Sequence, residues 1–210
     1  MLPVLSLDQV RVAWVILEKE GFLLYGFLLY TGADRALVDY MKEGIYDLDI
    51  LSGEKCAVFV IESPSKEWMT YTRQSDHSWW RLFGAGLAKN VDAESGTAAK
   101  RRALFEKTFI ENIHNSVIVV GQDNVVSLSQ ILDPPINLPY NRAEALKVAK
   151  HFGLGAKDVP CLVFFRSLSG SIISKVPLES FHSQDQLKLF FRDFFDGPDF
   201  ESMFRLEMAG

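Results

Sequence analysis

Lys157-Asp158-Val159-Pro160-Cys161-Leu162-Val163-Phe164-Phe165 sets a proline at the mouth of an unbroken apolar run. A run that is apolar without alternation is the pattern of a strand covered on both faces; a half-exposed strand alternates. Ahead of it, Ala143, Leu146, Val148, Ala149 and Phe152 recur as on one helix, and Gly153 and Gly155 suit its left-handed end. Behind it, Ser167-Leu168-Ser169-Gly170 reads as a turn that returns residues 171–176 as a hairpin partner. From Gln184 onward, Leu187, Phe190, Phe191, Phe194 and Phe195 fill a broad apolar helix face, and Gly197-Pro198 breaks it. This half of the chain therefore runs helix, strand, strand, helix.

Moving toward the N-terminus, Phe22-Leu23-Leu24-Tyr25-Gly26-Phe27-Leu28-Leu29-Tyr30 is a second continuous apolar run, read as a strand over 22–30. Gly26 marks a bulge or a close backbone approach within it. Thr31-Gly32-Ala33-Asp34 supplies a turn with Asp34 as N-cap, and Leu37, Val38, Met41 and Ile45 follow at helical spacing. Gly44 is expected to loosen or end that helix. Cys56-Ala57-Val58-Phe59-Val60-Ile61 is another buried strand, stopped by Ser63-Pro64. Strand, helix, strand predicts a βαβ unit with parallel strands and a right-handed crossover. Residues 7–20, with Val10, Trp14 and Leu17 in phase after Ser6, read as a helix, although Val10, Val12 and Trp14 also alternate as in a strand.

The order βαβ, insertion, αββα resembles the thioredoxin-like fold over residues 22–63 and 140–196. The resemblance implies an α/β protein with a mixed sheet flanked by helices, and a cis peptide at Pro160. Residues 1–210 then form a single domain, with 64–139 as a long insertion and 197–210 as an amphipathic C-terminal tail. In thioredoxin-like oxidoreductases a Cys-x-x-Cys pair lies where the first strand meets the first helix. There the helix N-terminus lowers the thiol pKa and the second thiol resolves the mixed disulfide. The matching place here, Tyr30-Thr31-Gly32-Ala33-Asp34-Arg35, has no cysteine, so dithiol exchange of that type is not expected. The resulting expectation is a non-catalytic module for protein binding or assembly, with Thr31, Gly32 and Pro160 around the empty corner. A helix over 199–208 adds Phe200, Met203 and Phe204 as binding residues if it finds no groove in its own domain. A protein partner or self-association follows.

Two enzyme readings compete. Cys161, beside Pro160, is the candidate for single-cysteine thiol chemistry, peroxidase- or glutathione-linked, against the plainer reading of a buried small hydrophobe. Cys56 opens an apolar strand and reads as structural. Glu179-Ser180 after the hairpin begins a helix as in glutathione transferases, but the chain beyond is too short for their helical domain, and capping is the preferred role for the pair. The second enzyme reading is a hydrolase or nucleotide-binding protein using the middle segment. There Asp76-His77-Ser78 holds triad residue types without triad spacing, and Gly84-Ala85-Gly86 lacks the rest of a dinucleotide loop.

The middle also concentrates Trp68, Tyr71, Trp79, Trp80 and Phe83. It reads as a helix over 97–113, a strand over 116–120, a strand or helical turn over 125–132, and a proline-rigidified loop over 133–139. His77, His114, His151 and His182 lack metal-ligand spacing, so neither metal nor cofactor is implied. A net charge of -5 with one basic run, Lys100-Arg101-Arg102, gives no footprint for nucleic acid. Glu18-Lys19-Glu20 interrupts the most hydrophobic stretch, so no membrane span is expected. Two distant cysteines and an N-terminus without signal-peptide features lead to an expectation of the cytoplasm.

Overall fold

The continuous apolar runs become the centre of one sheet. The structure is a computed structural model that describes residues 2–4, 6–19, 21–53, 56–62, 117–120, 124–127 and 140–205. The first half of the chain gives β1 (Leu2–Val4), α1 (Leu7–Lys19), β2 (Leu24–Leu29), α2 (Arg35–Ser52) and β3 (Cys56–Ile61). A hairpin of β4 (Val117–Val120) and β5 (Asn124–Ser127) follows and lies against α1. The second half gives α3 (Arg142–His151), a 3-10 turn (Ala156–Asp158), β6 (Cys161–Phe165), β7 (Ser174–Pro177), α4 (Gln184–Phe195) and α5 (Pro198–Arg205). Outside the described residues lie the aromatic cluster from Trp68 to Phe83, the helix over 97–113, Lys100-Arg101-Arg102, Asp76-His77-Ser78, Gly84-Ala85-Gly86 and the loop over 133–139.

The five-stranded sheet runs in the order β1-β3-β2-β6-β7. β1 and β2 both pair parallel to β3, β6 pairs antiparallel to β2, and β7 pairs antiparallel to β6. The molecule is thus an α/β protein with a mixed sheet, and β2–α2–β3 is the parallel unit that its pattern predicted. Because successive strand side chains point to opposite faces, each central strand feeds two cores. Tyr25, Phe27, Leu29, Phe59, Cys161, Val163 and Phe165 pack with Val10, Ala13 and Leu17 of α1 and with Ala145, Val148 and Ala149 of α3. Leu24, Leu28, Val58, Val60, Leu162 and Phe164 pack with α2, α4 and α5 on the other face. Each fully buried Leu, Val or Phe contributes about 1.5–3 kcal/mol relative to exposure, which is why both faces need helices.

Several local expectations are corrected. β2 starts at Leu24, because Leu23 is 41 % exposed and Phe22 precedes the ladder. Gly26 is a close approach, with no bulge. It stays in register with Val58 and Phe164, and a Cβ there would stand 3.2 Å from both side chains. Gly44 does not end α2; the Tyr40 ring covers it, and a Cβ would run into that ring. Gly153 takes the left-handed helix end (φ +72°), whereas Gly155 is extended (φ −92°) and precedes the 3-10 turn. The hairpin partner of β6 begins at Ser174. The edge strand β1 was not foreseen, being three residues long. No described helix is long and apolar enough to cross a membrane.

The tail does find a groove. Phe200 sits against Phe164, Phe194 and Phe195, with ring centroids 5.8, 5.9 and 4.8 Å away, and Met203 is buried with it. Phe204 is half-buried against Phe200. Arg166 Nη2 donates to Met203 O at 2.7 Å and ties the helix down. The apolar stripe expected as a docking surface is therefore spent on the protein's own core.

Candidate functional site at the corner between β2 and α2

Where β2 ends, the chain turns through Thr31 to Asp34 into α2. Thr31 N and Oγ1 donate to Asp34 Oδ2 at 2.6 and 2.9 Å. Asp34 occupies the N-cap position but makes no side-chain cap bond, because its carboxylate is turned back onto Thr31. Gly32 is exposed, with open space around its Cα.

Pro160 reaches the same corner from the other half of the chain. The Val159–Pro160 peptide is cis, and Pro160 O accepts from Leu178 N at 3.0 Å. Between Pro160 and the first turn of α2 lies a cavity of about 300 Å³. Leu37, Pro160 and Leu178 line it and are buried; Arg35, Glu179 and His182 line it and are exposed; Phe181 and Ala36 are half-buried between them. The floor is apolar and the rim carries both signs of charge. Thr31 and Gly32 shape the corner without lining the cavity.

Glu179, Leu178, Phe181 and His182 were missed as lining residues. Glu179 and Ser180 were read as helix caps, but they lie in a turn, and Ser183 caps α4 by accepting from Gln186 N. A turn that folds back on a proline 18 positions earlier leaves no local pattern.

Cys161 is one residue from Pro160, yet its side chain is fully buried in the opposite core with α1 and α3. Burial pushes its thiol up to about 11, with Lys175 opposing and Asp158 and Glu179 assisting. Burial likewise raises the Cys56 thiol. Among the described residues, no three His, Cys, Asp or Glu side chains are grouped as metal ligands.

A polar cluster flanks the corner. Tyr30 Oη donates to Glu62 Oε2 at 2.7 Å, and Tyr140 Oη donates to Tyr30 O. The two rings pack with centroids 5.0 Å apart. Burial holds the Glu62 carboxyl above the usual range, against the hydrogen bond from Tyr30. Burial also raises Tyr30, with the Glu62 charge next in weight. Tyr140 is raised by burial and then by the charges of Glu62 and Asp34.

Comparison with known proteins adds no relative: no family model, curated protein or solved structure matches the chain.

Proposed function

We propose that the chain is a thioredoxin-like protein without dithiol chemistry, acting as a module for protein binding or assembly, whose corner cavity receives an extended partner segment. Supporting the fold reading are the strand order, the helices on both faces and the place of Pro160 at the mouth of β6. The observation that carries the functional reading is the cavity itself. An apolar side chain seated on Leu37, Pro160 and Leu178 gains up to about 1.5–3 kcal/mol from burial. Arg35 and Glu179 then supply opposite charges that orient a chain more than they attract one.

Thiol chemistry at Cys161 fits the geometry less well, since a thiol near pKa 11 is ionised to about one part in ten thousand at pH 7. Two unpaired, buried cysteines suit a reducing compartment, and the cytoplasm is the proposed setting.

The test is nuclear magnetic resonance mapping with pooled extended peptides, beside sedimentation of the protein alone to detect a second copy as partner. Shifts confined to 33–37, 160 and 178–182, lost in Ala36→Trp, are expected. If neither a peptide pool nor self-association perturbs those residues, the module reading fails. Rapid labelling of folded Cys161 by a thiol reagent, with an apparent pKa well below about 8.5, would transfer the function to that thiol.

A further inference from the structure

We infer, on the premise that the corner cavity receives an extended segment, that the binding surface continues out of the cavity along an aromatic row, Phe181, Phe190 and Phe194. It then takes a partner chain whose apolar side chains alternate at positions i, i+2 and i+4 and are followed by a cation.

Phe181 belongs to both parts. It lines the cavity with Leu178, and its ring centroid lies 4.6 Å from that of Phe190, which stacks with Phe194 at 5.7 Å. All three rings are half-buried, whereas Leu187, Phe191 and Phe195 of α4 are buried. Phe190 and Phe194, one turn apart, therefore flank the buried face of α4 without being closed into it. Leu189 beside them is exposed.

The inner sides of the row are fixed. Phe194 stacks on Phe164 of β6 at 5.7 Å, and Phe190 packs on Phe191 at 5.4 Å. Val176 of β7 pairs with Leu162 and so shares the face of Phe164, where it too is half-buried against this core. Aromatic side chains held from beneath lose little freedom on binding, which is the property that makes such residues anchors at protein interfaces.

The spacing selects the partner. Along an extended chain, side chains on one face recur about every 6.6 Å, just above the 4.6 and 5.7 Å steps between the three rings. A side chain seated on Leu37, Pro160 and Leu178 brings the one two positions on over Phe181 and Phe190, and the next over Phe190 and Phe194. Side chains at i+1 and i+3 then face solvent. Asp193 adjoins Phe194 at the far end, and its ion pair with Arg192, at 3.5 Å, is exposed on both sides. A pair so open is worth little and exchanges readily, so Asp193 is the partner for the terminal cation.

The experiment titrates the full-length protein with blocked synthetic peptides, read by magnetic resonance shifts. One peptide carries Leu-Ser-Phe-Ser-Phe-Lys and a second has Ser in place of both Phe; each is also made in reverse order, because either chain direction presents the same alternation. In its better direction, the first is expected to bind about tenfold tighter than the second, with shifts spreading from 178–182 to Val176, Phe190, Asp193 and Phe194. Phe190→Gln should abolish that difference while the second peptide still binds, which also shows that the variant is folded. Equal affinities with shifts at the cavity alone, or an undiminished difference in Phe190→Gln, overturn the row and leave the cavity reading standing. Shifts along the row that persist at full strength in Ala36→Trp overturn the joined surface. Absence of binding by every peptide overturns it together with the cavity reading.

Discussion

On one face of the sheet, Tyr25 lies over Phe59 and Phe165 with centroids 6.3 and 5.9 Å away, beneath α1 and α3, and Cys161 is shut into the same core. On the other face, Phe164 is covered by Phe194 of α4 and Phe200 of α5 at 5.7 and 5.8 Å, but the cover stops at the first turn of α2 and leaves a cavity. The strands supplying the two faces are the same, and alternation along β6 decides which face each residue serves. Cys161, Val163 and Phe165 go to the closed side, Leu162 and Phe164 to the open one. The candidate thiol and the candidate binding surface are thus separated by one step along a strand, which is why proximity in sequence does not make them one site.

The largest expected effect asks whether the two faces are equally essential. Phe164→Ala and Phe165→Ala should each lose about 3–5 kcal/mol in urea unfolding, and a loss below about 1 kcal/mol for either would mean that its face is not core. Next comes the edge of the open face: Phe200→Ala is expected to cost about 3 kcal/mol with no change in sedimentation. Unchanged stability together with an altered mass would return α5 to the role of a docking element.

A smaller effect with a diagnostic sign comes from Gly44→Ala. Alanine in a helix interior normally gains about 1 kcal/mol over glycine, but here its Cβ meets the Tyr40 ring. A loss of about 1–3 kcal/mol is expected, and a gain would show that the ring does not lie there. Smallest is Tyr40→Phe. The Tyr40 hydroxyl is buried and has no hydrogen-bond partner among the described residues, so its removal should leave stability unchanged or raise it by up to about 1 kcal/mol. A clear loss would reveal a partner and make the open face more polar than described.

What the sequence revealed follows from where each signal is stored. β2, β3 and β6 were legible because burial on both faces writes an uninterrupted apolar run. α4 was legible because Leu187, Phe191 and Phe195 face one core at helical spacing. β1 was not, since three residues at an edge leave too short a pattern. Gly44 misled because intrinsic propensity ignores a ring folding over the glycine from a turn earlier. At the site, Pro160 and the cysteine-free corner were legible one by one. The cavity walls and the Tyr30–Glu62–Tyr140 cluster were not, because only the pairing of β2 with β3 and β6 brings those residues together.

Among the described residues, both outer strands of the sheet carry a proline, Pro3 in β1 and Pro177 in β7. Val4 O accepts from Glu62 N toward β3, and Leu178 N donates to Pro160 O. The neighbouring positions 3 and 177 therefore aim their main-chain groups away from the sheet, where proline has no N–H to offer. An incoming sixth strand would meet a gap in its ladder on either border. Fibrillar growth by stacking copies edge to edge is disfavoured at both ends by two residues that cost the native ladder nothing.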